Sequence, residues 1–177
     1  HICESYFIEK GTDTSLLELH DNLGWEKTVL KPCVSGAARH TYKLEKDTFD
    51  QHEMNFQELI SNEAMMLQPF QENIMTIGEF SFVIINGKYS HAVLKIAKPG
   101  DFRVQDDFGG TVHVHQANEE QIQFSENAVK ACKGKPMYAR VDVIIDNDDK
   151  LAISEIELIE PELWFRNHQN AALILAK

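Results

Sequence analysis

The sequence has few of the residues on which disulfide frameworks, membrane spans and nucleic-acid surfaces depend. Its three cysteines, Cys3, Cys33 and Cys132, are odd in number and widely spaced, which fits neither a disulfide framework nor a zinc site. No apolar run approaches the roughly 20 residues of a membrane span. The chain also does not open with a basic segment followed by an apolar one, as a signal peptide does. We therefore expect reduced thiols and a cytoplasmic location.

Positive charge is scarce as well. The chain has 17 Lys and Arg against 28 Asp and Glu, which gives a net charge of −11. The basic residues are scattered, and this argues against a nucleic-acid partner, because such a partner needs a cationic face. An anionic small ligand is still compatible with this charge, since a few local cations and backbone N–H groups suffice to bind a phosphate.

The strand and helix signals predict an α+β fold built from antiparallel hairpins. Asn86-Gly87 separates two strand patterns, Glu79–Ile85 and Lys88–Ile96, and this dipeptide is typical of a type I′ hairpin turn. A second hairpin is predicted from strands at 138–145 and 151–158. Helices are predicted at 15–23, from 49 onward, at 119–133 and at 162–176. Because helices and strands do not alternate strictly, the pattern favours α+β over a parallel α/β sheet.

The second hairpin carries a cluster of acids. Glu155 and Glu157 are two residues apart and therefore share one strand face, and pairing of the strands brings Asp142 next to them. Clustered carboxylates repel one another unless a cation neutralises them, and hard oxygen ligands suit Mg²⁺. Arg140 lies on the same face as Asp142, where it can meet a phosphate. The same alternation also describes an ordinary solvated strand, so this segment alone leaves both interpretations open.

Neighbouring segments add a resemblance to a known superfamily. Arg140-Val141-Asp142, followed by 155–161 with the sequence Glu-Ile-Glu-Leu-Ile-Glu-Pro, resembles the closing motif of ATP-grasp enzymes. Four further segments resemble the superfamily in the same order, namely 28–38, Gln68-Pro69-Phe70, Gly78-Glu79-Phe80-Ser81, and Lys95 with Gly100-Asp101-Phe102-Arg103. The strings are most similar to the glutathione-synthetase-like group, with the ribosomal-protein glutamate ligases and the cyclo-ligase of cycloserine biosynthesis.

The resemblance implies an ATP-grasp fold of two α+β lobes whose antiparallel sheets clasp the nucleotide. Residues 1–11 would be a remnant or linker from a missing N-terminal substrate domain, 12–68 the small lobe, and 69–177 the large lobe with the metal-binding hairpin. The implied activity is an ATP- and Mg²⁺-dependent, ADP-forming ligase that joins a small-molecule carboxylate to an amine through an acyl phosphate. Such chemistry needs no protein nucleophile. The alternatives are a nucleotide-binding regulatory module without turnover, and a calcium-binding or adhesive β-rich protein that uses the acidic hairpin.

The resemblance also implies a role for each matching residue. Lys31 and the turn residues Ser35, Gly36 and Ala37 would hold the ATP phosphates. Gln68, Pro69 and Phe70 would bind adenine, although Phe70 equally fits a core position, and Glu79 would bind ribose. Lys95 would contact phosphate, with nearby Lys98 as the alternative, while Arg103 and Arg140 would stabilise charge during phosphoryl transfer. Asp142, Glu155 and Glu157 would bind two Mg²⁺ ions, for which Mn²⁺ can substitute. The histidines His113 and His115 share a strand face, which we assign to solvent exposure rather than to a metal.

Overall fold

The structure is a computed structural model that describes residues 1–36, 38–104 and 109–177. Its contacts divide the chain into two compact units. We call Cys3–Phe70 the N-terminal unit, and Gln71–Lys177 with His1–Ile2 the C-terminal unit. The strands are β1 (Tyr6–Ile8), β2 (Lys27–Pro32), β3 (Tyr42–Glu45), β4 (Met65–Pro69), β5 (Glu79–Ile85), β6 (Lys88–Ile96), β7 (Thr111–His115), β8 (Tyr138–Ile145) and β9 (Leu151–Glu157). The helices are α1 (Leu16–Leu23), α2 (Phe49–Asn62), α3 (Asn73–Thr76), α4 (Glu119–Ala131) and α5 (Ala171–Leu175).

The N-terminal unit is an antiparallel sheet in the order β1-β4-β2-β3 with the helices α1 and α2. Helix α1 begins after Ser15, whose side chain accepts a hydrogen bond from the backbone N–H of Glu18, and ends at Gly24 in the left-handed conformation. The apolar residues of α2 that are spaced along one helix face are all buried in the core, namely Phe49, Phe56, Leu59 and Ile60. The predicted helices of this unit are therefore confirmed.

The C-terminal unit is an antiparallel sheet in the order β7-β6-β5-β8-β9. Asn86 and Gly87 both have positive φ angles, 51° and 77°, as a type I′ turn requires. One face of this sheet packs Phe80, Phe82 and other apolar side chains against α4. The predicted α+β class with two antiparallel sheets is confirmed.

The other face of the C-terminal sheet is divided into an apolar part and a polar part. Val83, Ile85 and Val93 form the apolar part, and the ring of Trp164 packs against them. Further along the same strands lie Glu79 and Lys95, which form the polar part. The fold therefore places charged side chains on one half of a sheet face, and Trp164 covers the apolar other half.

The helix predicted at 162–176 is wrong. The structure instead has a 3-10 turn at Phe165–Asn167 and a short helix, α5, at Ala171–Leu175. Trp164 has φ = 53°, a left-handed conformation that a continuous α-helix does not allow. Its side chain is only 5% exposed, so burial of a large aromatic surface outweighs the local helical pattern. None of the helices in the described residues has the length and apolar content that a membrane crossing requires.

Gly78 immediately precedes β5 and lies against β6. Its φ is +94°, and a Cβ atom added there would collide with the carbonyl oxygen of Lys95. Gly134 has a similar φ of +88°, but a Cβ atom added at Gly134 would have no other atom within 4 Å. A substitution at Gly134 therefore introduces backbone strain alone, whereas a substitution at Gly78 introduces both backbone strain and a steric collision.

We predict that Gly78→Ala lowers the free energy of unfolding by about 3 kcal/mol, because it adds collision to left-handed strain. Gly134→Ala, the control, is expected to lose only about 1 kcal/mol, from strain alone. Urea titration of both variants measures the difference. Equal losses would contradict the close approach of Gly78 to β6.

His20 is a buried titratable side chain in the N-terminal unit. Its Nδ1 lies 2.7 Å from the carbonyl oxygen of Leu16 and its Nε2 lies 2.8 Å from the hydroxyl of Thr28. Since a carbonyl only accepts, Nδ1 carries the proton and Nε2 accepts from Thr28. Burial lowers the pKa of His20, although the bond to Leu16 opposes this.

A lowered pKa means that the folded unit resists protonation more than the unfolded chain does. We predict that the stability contributed by neutral His20 is complete above about pH 6.5, the ordinary histidine value, and is lost as the pH falls from there through the folded pKa. Hydrogen exchange of core amides in the N-terminal unit, converted to opening free energies, measures this loss. His20→Gln is expected to flatten the pH dependence, and an unchanged slope would contradict the assignment.

Candidate functional site

The register of the C-terminal sheet brings the predicted charged residues onto one face. Ser81 of β5 pairs with Asp142 of β8, and Glu79 of β5 pairs with Lys95 of β6. Across β8 and β9, Arg140 pairs with Glu157 and Asp142 pairs with Glu155. Side chains on neighbouring strands at paired positions lie on the same side of a sheet. Six of the predicted site residues are therefore neighbours, and we call them the ionic network, namely Glu79, Lys95, Arg140, Asp142, Glu155 and Glu157.

Arg140 links the carboxylates of the hairpin. Its Nε lies 2.9 Å from Oδ2 of Asp142, and its Nη2 lies 2.7 Å from Oε1 of Glu157. Glu155 is more distant, with 3.9 Å between its Oε2 and Nη2. Asp142 is only 1% exposed, and such a buried carboxylate requires paired charges or hydrogen bonds. Arg140 provides both a paired charge and hydrogen bonds, and it therefore stabilises the buried carboxylate of Asp142.

Lys95 provides the second cation. Its Nζ lies 2.5 Å from Oε2 of Glu79 and 3.4 Å from Oδ1 of Asp142. Burial lowers the pKa of Lys95, but attraction to Glu79 and Asp142 outweighs it, and the pKa is raised overall. Lys98, the alternative that the sequence left open, is an exposed residue. Lys95 is therefore the lysine that belongs to the ionic network.

The ionic network contains more negative than positive charge. Its four carboxylates face two cations, which leaves a formal charge of −2. Partial burial, together with repulsion from Asp142 and Glu157, raises the pKa of Glu155 to about 6. A divalent cation would relieve this repulsion, so the charge of these residues fits Mg²⁺.

The carboxylates do not form a ready-made metal cage. In the described part of the chain, no group of three or more His, Cys, Asp or Glu side chains is arranged to hold a metal ion. The guanidinium of Arg140 lies among the acids and forms ion pairs with Asp142 and Glu157. Mg²⁺ is usually bound through one or two carboxylates with phosphate oxygens and waters. The residues present fit that mode, in which the nucleotide brings part of the coordination.

Two serines that the sequence did not single out complete the network. The hydroxyl of Ser81 donates to Oδ1 of Asp142, and the hydroxyl of Ser154 donates to Oε1 of Glu79 at 2.5 Å. Ser81 was accessible to sequence reasoning, because it lies two residues after Glu79 and so shares its strand face. Ser154 was not, because the register of β8 and β9 shifts between Asp142 and Val143, which breaks the simple alternation.

Arg103 lies in the loop that follows β6. Its Nη2 lies 2.7 Å from Oδ2 of Asp101. Hydrogen bonds from Arg103 are the main cause that lowers the pKa of Asp101 to about 2. The role of Arg103 in stabilising transferred charge stays a prediction.

The predicted phosphate-binding residues lie in the N-terminal unit. Lys31 is half-buried on β2, and within the described residues it forms no salt bridge. In the turn after this strand, the hydroxyl of Ser35 donates to the carbonyl of Arg39, and the backbone N–H of Arg39 donates to the carbonyl of Gly36. Ala37 lies outside the described residues.

The predicted adenine-binding residues lie at the end of β4. The side-chain amide of Gln68 donates to the hydroxyl of Ser5 at 2.8 Å, and Pro69 pairs with Thr28 of β2. The ring of Phe70 is 3% exposed and lies 4.4 Å from the ammonium of Lys43. Phe70 is therefore a buried residue, and its contact with adenine stays a prediction.

The two histidines of β7 lie away from the ionic network. The ring of His115 is 4.6 Å from that of Phe80, on the face that packs against α4, and its Nε2 lies 2.9 Å from Oε1 of Gln121. His113 contacts the hydroxyl of Thr111 at 2.9 Å. The expected solvent exposure is confirmed for His113, whereas it is wrong for His115, which is half-buried because its ring packs against Phe80.

Known proteins are similar to this chain in sequence or in fold. The cycloserine biosynthesis protein DcsG of Streptomyces lavendulae is 24% identical over 164 residues, which cover 84% of this chain and 52% of that protein. The crystal structure of D-cycloserine synthetase DcsG matches with a TM-score of 0.85 at 23% identity, over 99% of this chain and 63% of that chain. The D-alanine–D-alanine ligase of Bacillus anthracis, solved in complex with ATP, matches with a TM-score of 0.70 at 19% identity, over 99% of this chain and 57% of that chain.

At these identities the structural similarity shows the fold. The chain spans about half the length of its curated relative, 52%. The family model for the ATP-grasp domain of prokaryotic glutathione synthetase matches residues 12–163, which is most of the chain. This chain therefore belongs to the family of the prokaryotic glutathione synthetase ATP-grasp domain.

Proposed function

We propose that the chain is the nucleotide- and metal-binding part of an ADP-forming ligase that joins a carboxylate to an amine. The observation that carries this proposal is the ionic network, in which buried Asp142 and its acidic neighbours keep a formal charge of −2 beside a guanidinium. A solvated strand face, the alternative interpretation of the hairpin, would not bury Asp142. Membership of the ATP-grasp family supports the same conclusion.

In this proposal Asp142, Glu155 and Glu157 hold magnesium, as two ions, and Mn²⁺ can replace it. Once bound, magnesium neutralises phosphate charge and orients the triphosphate. The chain contributes a carboxylate that is already oriented, because Ser81 and Arg140 hold the two oxygens of Asp142. Glu155 is 53% exposed on its side chain, so its carboxylate is accessible to an incoming ligand.

The N-terminal unit would supply the small lobe, 12–68, and the C-terminal unit the large lobe, 69–177. Lys31 and the 35–37 turn would bind phosphate oxygens, 68–70 would bind adenine, and Glu79 would bind ribose. Lys31 has a free ammonium among the described residues, which supports a contact with an anion. Arg103 and Arg140 would stabilise the charge of the transferred phosphoryl group.

The proposed reaction proceeds in two steps. An oxygen of the substrate carboxylate attacks the γ-phosphorus of ATP, the bond to the β-phosphate oxygen breaks, and ADP leaves. The amine then attacks the carbonyl carbon of the acyl phosphate, loses a proton to solvent, and expels inorganic phosphate. Both steps require positioning and charge stabilisation rather than a protein nucleophile.

Nucleotide binding is the first test of this proposal. Mg²⁺ and ATP together are expected to protect the chain against thermal unfolding, by about 2.7 kcal/mol at 100 times the dissociation constant. A screen for ADP release against amino acids and dipeptides then tests turnover. Absence of protection by Mg-ATP would overturn the proposal, and protection by Ca²⁺ with ATP inert would favour the calcium-binding alternative.

Glu155→Gln tests the metal ligand. Because burial and repulsion by the neighbouring acids raise the pKa of Glu155, its charged form opposes folding. We predict that the variant is at least as stable as the wild type without ligands, yet loses Mg²⁺-dependent ADP release. Glu120→Gln removes the same charge from an exposed residue of α4 and is expected to keep ADP release. Full activity of Glu155→Gln would remove Glu155 from the mechanism.

Lys31→Ala tests the phosphate contact. We predict about tenfold weaker ATP binding by calorimetry, because a charge-assisted hydrogen bond contributes about 1.5–3 kcal/mol. Lys10→Ala, which removes an exposed lysine of the same unit, is the control for the general loss of charge. Equal ATP affinity in both variants would contradict the assignment of Lys31.

A further inference from the structure

Lys95 is enclosed more completely than a ligand-binding lysine needs to be. It is 5% exposed, and its ammonium lies 2.5 Å from Glu79 and 3.4 Å from Asp142. A buried ammonium without such partners would be strongly unfavourable. Movement of Lys95 toward a phosphate would therefore leave Glu79 without its lysine partner and buried Asp142 with Arg140 as its remaining cation.

In both Glu79 and Asp142, the two carboxylate oxygens have different nearest partners. In Glu79, Oε2 faces Lys95 and Oε1 accepts from Ser154. In Asp142, Oδ1 faces Lys95 and Ser81, whereas Oδ2 is the nearer acceptor for Arg140, whose Nε lies 2.9 Å from Oδ2 and 3.2 Å from Oδ1. Among the described partners of these two carboxylates, Lys95 is the one that contacts both Glu79 and Asp142. It thereby links the proposed ribose-binding acid to the proposed metal ligand.

We propose that Lys95 is a positioning residue that acts on the nucleotide through Glu79 and Asp142, and does not itself touch phosphate. The inference rests on the proposed function for its consequences in binding, but the ionic contacts stand without it. It replaces the phosphate contact that the sequence resemblance implied for Lys95. Because one ammonium holds both acids, its removal displaces both, and nucleotide affinity falls although no direct contact is lost.

A double-mutant cycle in the ligand-free chain tests the contacts. Lys95→Met leaves Glu79 without its lysine partner and Asp142 with Arg140 as its remaining cation, so we expect a clear fall in melting temperature. Adding Glu79→Gln removes the uncompensated charge of Glu79, and we expect the double variant to melt above Lys95→Met. If Lys95→Met fails to fold, recovery of folding in the double variant gives the same answer. A wild-type melting temperature in Lys95→Met, or no recovery with Glu79→Gln, would overturn the inference.

Affinity for ADP with Mg²⁺ separates positioning from a phosphate contact. We expect Lys95→Met to bind ADP about 10-fold to 100-fold more weakly, as supporting residues of metal sites do when lost, and Lys95→Arg to recover much of this affinity. In the Glu79→Gln background, loss of Lys95 is expected to have a smaller further effect, because the path through Glu79 is already removed and only the 3.4 Å contact with Asp142 remains. A full additional loss in the double variant would show a direct phosphate contact instead.

The two arms fail independently. If the wild type binds no ADP, the proposed function is wrong, but the melting temperatures still decide whether Lys95 stabilises Glu79 and Asp142. If ADP binds normally and Lys95→Met leaves both stability and affinity unchanged, only the inference about Lys95 is wrong.

Discussion

A buried carboxylate with its own set of donors is the constraint on which the C-terminal unit depends. Asp142 is 1% exposed and receives Arg140, Lys95 and the hydroxyl of Ser81. Its desolvation is unfavourable unless these partners are all in place. They come from three adjacent strands, β5, β6 and β8, so the register of the whole sheet must be correct for Asp142 to be tolerated. The polar face thus specifies the sheet as much as the apolar face does.

A site that retains negative charge in the absence of ligand is suited to bind a cation and an anion together. Arg140 forms ion pairs with Asp142 and Glu157, but it does not neutralise all of the acids. Glu155 lies 3.9 Å from the guanidinium, and its pKa is raised. A metal ion alone would have to compete with Arg140, whereas a metal–phosphate complex also offers the guanidinium a new acceptor. Binding of a metal–phosphate complex agrees with the ATP-grasp family of the chain, and it does not require the carboxylates to converge as a cage beforehand.

Sequence reasoning was most successful where a short pattern determines a local conformation. The Asn86-Gly87 turn and the face shared by Glu155 and Glu157 follow from positive φ and strand alternation. It failed where a tertiary contact overrides local preference, as in the helix expected around Trp164, whose ring is needed over the sheet. It also missed Ser154, because a register shift cannot be derived from alternation. The carboxylate contacts of Lys95 likewise depend on strand register and burial, which the sequence does not reveal.

The cover provided by Trp164 has a consequence for where this domain ends. The similarity to the family model stops at residue 163, one position before the side chain that seals Val83, Ile85 and Val93. A protein shortened to the family boundary would present a continuous apolar strip beside the charged residues, and such strips promote self-association. The packed structure of the domain therefore extends beyond residue 163, where the match to the family model ends, and a shortened protein should retain α5.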